Sequence, residues 1–342
     1  MEDRRRTYRN PLIPDYLGDP FVWSHEGRYY LLGTGADEAA GTTPAHHEPS
    51  IFPAYSSTDL VSWSRAGKAL VRPYATHGYT FWAPEVAYSQ GIFYLYYSVG
   101  FGDRLHHLRV ATSRQPLGPY RDAGVRLTSL ASCPFAIDPH PFFDGDRWYL
   151  FYARDFLDDR DEQGNPVRPG TALVVQPLDS MLALAPTTIT VLRARHDWQR
   201  FMSDRPMYGA RYDWHTLEGP AVVRRNGRIY CLYSGGRWDS ERYGIDYAVA
   251  DHVLGPYDGS GSEEGPRVLR SKPGAWLGPG HNSIVRGPDG TTDYVAYHAW
   301  DPAFSRRQFC LDPLVFESSG PRVDGPSTTL RSVEPARTAR AS

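Results

Sequence analysis

Residues Gly91 to Gly100 read GIFYLYYSVG, a glycine followed by a run of aromatic and β-branched side chains, and the chain returns to that pattern four more times. The other copies are GRYYLLGTG from Gly27, DRWYLFYAR from Asp146, GRIYCLYSGG from Gly227 and TTDYVAYHAW from Thr291. Runs of this kind, opened by turn residues, read as β-strands. Ahead of each lies a second short apolar stretch that ends in a turn: DPFVWSHEG, APEVAYSQG, DPHPFFDGD, EGPAVVRRNG and HNSIVRGPDG. Each pair is therefore a hairpin.

Aligned on Tyr30, Tyr94, Tyr149, Tyr230 and Tyr294, the hairpins follow one another at steps of 64, 55, 81 and 64 residues, enough for a four-stranded sheet and its loops. Further strands follow the first, second and fourth hairpins as AYSSTDLVSW, RVATSRQPLGPY and YAVADHVLGPY. No stretch sustains a 3.6-residue apolar period; the best short-helix candidate, LDSMLALAP around Leu182, stops at Pro186. The expectation is an all-β chain, residues 1–342 forming one domain, a five-bladed β-propeller of four-stranded antiparallel blades around a central channel. Radial repetition buries many sheet faces and leaves only short edges, which favours it over a sandwich. DGSGSEEGP and DDRDEQGNPVRPG read as surface loops, and neither has the character of an interdomain linker.

Lys and Arg number 37 against 39 Asp and Glu, so no strong field draws the chain to nucleic acid or to an anionic membrane. The 9 Trp and 23 Tyr suit either a β core or a sugar-binding cleft, since these rings pair an apolar face with a polar edge. Three cysteines, Cys133, Cys231 and Cys310, lack metal-like spacing and are odd in number, which argues against a disulfide framework and a zinc site. The basic start MEDRRRTYRNPLIPDYLGDP is followed by no apolar region, and a cytoplasmic location is expected.

In a propeller the first strand of each blade lines the channel, so equivalent early positions of the hairpins converge. Those positions hold Asp19 in GDPF, Glu85 in APEV, Asp138 in IDPHPF, Glu218 in LEGPAV and His281 in GHNSIV. Singly, an Asp before Pro or a Glu before Gly is ordinary turn chemistry. Together, acidic groups recurring in otherwise apolar repeats point to function, because concentrating like charges is costly.

The ordered set NPLIPDYLGDPFV, WAPEVAY, AIDPHPFFD, LEGPAVV and GPGHNSIV resembles glycoside hydrolase family 43, the group of arabinases and xylosidases, over nearly the whole chain. The resemblance implies that Asp19 is the general base, Glu218 the general acid, and Asp138 a third carboxylate that orients the acid and raises its pKa. Inverting hydrolysis uses two such carboxyl groups, one activating water and one protonating the leaving oxygen. It also implies that His281 is a central histidine facing a bound calcium through water, and that Arg307, beside Arg306, is the active-site arginine. Trp82 is a candidate stacking wall for a sugar ring and equally a core aromatic; Glu85 is a site-lining or structural group. His215 could reach the pocket rim. The pairs His46-His47 and His106-His107 point to opposite faces if extended and make no chelating site.

The expected activity is an inverting, exo-acting glycosidase that releases L-arabinofuranosyl or D-xylosyl residues from plant-derived oligosaccharides. The alternatives are an endo-arabinanase, an exo-galactosidase, a fructan hydrolase, a glycoside phosphorylase, or a non-catalytic carbohydrate-binding propeller. Gly18-Asp19-Pro20 and Glu218-Gly219 depart from the Asn-Asp-Pro and Glu-Cys motifs of fructan enzymes. The segment from Ala36 to Pro53 and the insertion from Asp155 to Thr171 are candidate pocket walls.

Overall fold

A computed structural model describes residues 6–36, 48–74 and 77–335; His46-His47 and most of the segment from Ala36 to Pro53 lie outside them. The described chain is all-β, with one short 3-10 turn at Asp197–Gln199. No described helix is long and apolar enough to cross a membrane. Strand β1 (Arg6–Tyr8) opens the chain. The first sheet follows as β2 (Gly18–His25), β3 (Arg28–Thr34), β4 (Ser50–Ser57) and β5 (Ser64–Val71), and the second as β6 (Thr80–Ser89), β7 (Ile92–Phe101), β8 (Arg104–Ser113) and β9 (Arg121–Arg126).

The third repeat contains β10 (Ala136–Phe143), β11 (Trp148–Phe156), β12 (Gly170–Ser180), β13 (Ala183–Leu184) and β14 (Ile189–Leu192). The fourth contains β15 (Arg200–Met207), β16 (Ala210–Arg225), β17 (Arg228–Gly235) and β18 (Gly244–Ala250). The last sheet is β19 (Leu277–Arg286), β20 (Asp293–Trp300), β21 (Arg307–Glu317) and β22 (Gly320–Val323), and β23 (Arg331–Val333) pairs with β1.

All five hairpins form where the sequence places them. Glu26-Gly27, Gln90-Gly91 and Asn226-Gly227 each put two successive residues at positive φ, the type I′ geometry that matches strand twist. The stretches read as further strands supply β4 and β8, third in their sheets, and β18, the last strand of a larger sheet. LDSMLALAP is not helical: Leu178 pairs with Leu184 as β12 turns into β13. Its few apolar residues are satisfied by packing against the core that contains Leu178, with Met181 and Leu184 at its edge.

The expectation of five separate four-stranded sheets holds for the first, second and fifth repeats and not for the third and fourth, which share one nine-stranded sheet. The join is a short parallel pairing of Gly170-Thr171 with His215-Thr216. It needs glycine, because a Cβ on Gly170 would lie 1.9 Å from the His215 carbonyl oxygen. The insertion from Asp155 to Thr171 thus ends in the seam between repeats.

Five apolar cores lie between neighbouring repeats: Phe81 and Leu95 with Leu32 and Ile51, Tyr152 with Tyr96, Ile229 with Leu173, Val295 with Leu232, and Leu311 with Leu31. Each fully buried side chain of this size contributes about 1.5–3 kcal/mol. The first strands of the repeats touch in cyclic order, β2 against β6, β6 against β10, β10 against β16, β16 against β19, and β19 against β2. Cys133, Cys231 and Cys310 are all free and buried in these cores.

Candidate active site

Each first strand is broken at the same place. Its ladder shifts register between Gly18 and Phe21, Trp82 and Glu85, Ile137 and His140, Glu218 and Ala221, and Gly280 and Ser283. Within these bulges Asp19, Ala83, Asp138, Gly219 and His281 have φ between 47° and 58°. Left-handed backbone in a non-glycine residue costs of order 1–3 kcal/mol and is typical of functional sites. The residue four positions on pairs in every case with one of the five aligned tyrosines, as Trp23 does with Tyr30 and Ala87 with Tyr94. The repeat is therefore in strict register, and Asp19, Asp138 and His281 are equivalent. Glu218 precedes its bulge residue by one, and Glu85 follows its own by two, which separates Glu85 from the set in which the sequence reading placed it.

Glycine makes room for the groups that bond the carboxylates. A Cβ on Gly18 would lie 2.5 Å from the Arg307 guanidinium carbon, and one on Gly280 would lie 2.0 Å from the Tyr243 ring. Arg307 fills the first space, donating from Nη1 to Asp19 Oδ1 at 2.9 Å and from Nε to the Tyr16 hydroxyl at 2.8 Å. The guanidinium also lies over the Trp238 ring, 4.9 Å from its centroid. Arg306 is exposed, and among the described contacts it is Arg307 that reaches the carboxylate. The Asp19 N–H donates to His298 Nδ1 at 3.1 Å, so His298 carries its proton on Nε2. His281 Nδ1 lies 3.4 Å from Asp19 Oδ1 and 3.9 Å from Asp138 Oδ2, and the Gly219 N–H donates to Asp138 Oδ2 at 2.9 Å.

Burial alone would raise the Asp19 pKa, but Arg307, His281, His298 and the Thr34 hydroxyl together hold it well below the usual carboxylate range. Glu218 goes the other way. Burial, with the Asp19 charge added, pushes it up to about 7 against the opposing pull of the Tyr243 hydroxyl and Arg307. Asp138 is also raised, first by burial and then by Glu218 and Asp19. Asp138 and Glu218 are thus a pair whose mutual repulsion adds to burial, and together they retain a proton where isolated carboxylates would not. His281 is lowered by burial and stays neutral at neutral pH.

Asp19, Asp138, Glu218, His281 and Arg307 thus form one cluster. Trp82 occupies the bulge position equivalent to Glu218, is half-buried, and has one face stacked on His106 at 3.7 Å. Glu85 is buried and accepts from His140 Nδ1 at 2.6 Å, while His140 Nε2 accepts the Val222 N–H at 3.0 Å, a clasp joining three repeats. His215 stands apart. Buried in the seam of the nine-stranded sheet, it donates from Nδ1 to the Asp213 carbonyl at 2.9 Å, and no hydrogen bond joins it to the carboxylates among the described residues. Sequence reading missed Tyr243, His298 and His140, although His140 lies inside the DPHPF motif it quoted.

These donors offer a calcium no set of direct ligands; the expected ion, which faces His281 through water, is a different arrangement and is a proposal in which His281 would anchor the bridging water. The two carboxylate oxygens nearest His281 are engaged by Arg307 and Gly219, and the described residues contain no group of three or more His, Cys, Asp or Glu able to hold a metal. Calcium prefers six or more oxygen ligands.

Comparison with known proteins follows the same line. Residues 8–321 match the model of Glycosyl hydrolases family 43. The β-D-galactofuranosidase xynD of Aspergillus niger is 26% identical over 91% of this chain and 83% of its own length. The α-L-arabinofuranosidase 43 of Humicola insolens is 25% identical over 85% of this chain, which spans 56% of that protein. The crystal structure of a thermostable family-43 glycoside hydrolase superposes with a TM-score of 0.76 at 30% identity, covering 97% of this chain and 100% of that one.

Proposed function

The chain belongs to glycosyl hydrolase family 43 and is a glycosidase, and on that premise we propose that it inverts the anomeric centre, with Asp19 as base and Glu218 as acid. The observation that carries this reading is the opposed treatment of two carboxyl groups in one cluster, Asp19 held ionised by Arg307 and Glu218 pushed up to about 7. Pairs of titratable groups driven apart in pKa mark an acid and a base. Asp19 takes a proton from water, whose oxygen bonds the anomeric carbon as the C–O bond to the leaving group breaks. Glu218 gives its proton to the departing oxygen. Arg307 keeps Asp19 charged, Asp138 keeps the proton count of the pair high, and His281 spaces the two halves as a neutral group.

The architecture that positions these groups is read as one five-bladed propeller, from the cyclic contacts of β2, β6, β10, β16 and β19 and the cores between successive repeats. The substrate is an oligosaccharide with a terminal L-arabinofuranosyl or D-xylosyl unit, and Trp82, at the bulge position equivalent to Glu218, is the candidate platform for a sugar ring. The exo mode is supported by the hairpin of β15 and β16. It extends the Glu218 strand outward and is tied to the second sheet's β7–β8 turn by Arg205 Nη2, 3.1 Å from Asp103 Oδ2. The likeness to the galactofuranosidase makes a galactofuranosyl unit the second reading.

Nitrophenyl α-L-arabinofuranoside, β-D-xyloside and β-D-galactofuranoside assayed side by side identify the sugar. Glu218→Gln is expected to lower kcat on an unactivated glycoside by about 10²–10⁴-fold, with a much smaller loss on the nitrophenyl substrate. Equal loss on both, or none, refutes the role of Glu218. Rapid mid-chain cleavage of arabinan without monomer release overturns the exo reading.

A further inference from the structure

Arg307 has a counterpart. In the fifth sheet Gly280 pairs with His298 and His298 with Phe309; in the fourth, Glu218 pairs with Ser234 and Ser234 with Ile245. Counting two residues back along each third strand gives Arg307 and Tyr243 as equivalent positions. Each reaches over a glycine of the next repeat, Gly18 or Gly280, and each bonds a carboxylate: Arg307 bonds Asp19, and Tyr243 donates its hydroxyl to Glu218 Oε1 at 2.7 Å.

We propose that Tyr243 is a positioning residue that holds Glu218 by Oε1, so that Oε2 carries the proton delivered to the leaving group. The inference rests on Glu218 being the acid. Tyr243 is fully buried and its ring lies parallel to His298, with 5° between the planes and 6.0 Å between centroids. Beside it lies Ser234, whose Oγ accepts the His281 N–H at 2.7 Å and which makes the phenol proton easier to donate. Tyr243 thus bonds Glu218 on one side, with Ser234, itself bonded to the His281 backbone, beside it. Burial and the nearby Glu218 keep the phenol far above its usual pKa, so Tyr243 remains a neutral donor. A donor to the carboxylate favours its charged form. A second guanidinium in this place would hold Glu218 ionised, as Arg307 does Asp19; a phenol orients the carboxyl and leaves it able to protonate.

The test is the pH dependence of kcat/KM for Tyr243→Phe, on the best nitrophenyl glycoside and on an unactivated glycoside of the same sugar. Loss of the donor should move the alkaline limb upward by about one pH unit and cut turnover of the unactivated substrate by about tenfold, the nitrophenyl substrate suffering less. Ser234→Ala, which weakens the same donor from behind, should move the limb in the same direction by less, and serves if the phenylalanine variant fails to fold. A limb that stays put in both variants, or equal loss on both substrates, overturns the role of Tyr243. If Glu218→Gln still shows its leaving-group dependence, the acid assignment survives that failure.

Discussion

The first and fourth repeats put a carboxyl group at nearly the same place in nearly the same backbone, and they give it opposite charge states. In the first, the bulge residue itself is the acid, Asp19, with glycine before it; in the fourth, the bulge residue is glycine and the acid, Glu218, comes before. The group that bonds the carboxyl is a guanidinium from the preceding repeat in the first case, Arg307, and a phenol of the same repeat in the fourth, Tyr243. Burial works against both charges and is the largest influence on both. What separates the two carboxyls is the company each keeps: Arg307, with His281, His298 and Thr34, outweighs burial at Asp19, whereas the Tyr243 hydroxyl and Arg307 do not outweigh burial and the Asp19 charge at Glu218.

Removing either partner breaks the contrast from its strong side. Asp19→Asn is expected to lower kcat by about 10³-fold with good and poor leaving groups alike, because water activation is needed for both; a loss confined to poor leaving groups would exchange the roles of the two carboxyls. Arg307→Met removes the charge that outweighs burial at Asp19. Its pKa should rise, so the acid limb of kcat/KM should move to higher pH, and the uncompensated carboxylate should cost about 3–5 kcal/mol in urea unfolding. The unaltered protein should lose kcat/KM on the alkaline side as Glu218 ionises near pH 7, its pKa being pushed up to about 7. The smallest effect is expected at Glu85, a buried carboxylate held by His140 rather than by a cation. Glu85→Gln keeps an acceptor for His140 Nδ1 and should cost only about 1 kcal/mol of stability.

The sequence carried the repeat with one-residue accuracy, since the five aligned tyrosines all prove to face the same point of their first strands. It brought Asp19, Asp138 and His281 to equivalent positions for the same reason, and Glu218 to one residue from its own. Glu85 was misplaced because alignment on acidity ignores the prolines: Pro20, Pro84, Pro139 and Pro220 all follow a bulge residue, and matching them would have set Glu85 beside His140 and Ser283. Proline is tolerated there because it falls in the bulge, where the ladder is already interrupted. Tyr243 was out of reach, since it lies in an unremarkable RYGIDY and acquires meaning only through the register of a third strand and the space above Gly280. The joining of the third and fourth repeats depends on one glycine meeting a carbonyl 45 residues away, a long-range contact that no local pattern announces.

Proton NMR of the sugar released in the first minutes of hydrolysis, before mutarotation, tests directly whether Asp19 activates a water molecule. The product is expected to appear with the anomeric configuration opposite to that of the substrate. Initial release of the same anomer would mean that a side chain attacks the sugar, and the division of labour between Asp19 and Glu218 would be wrong.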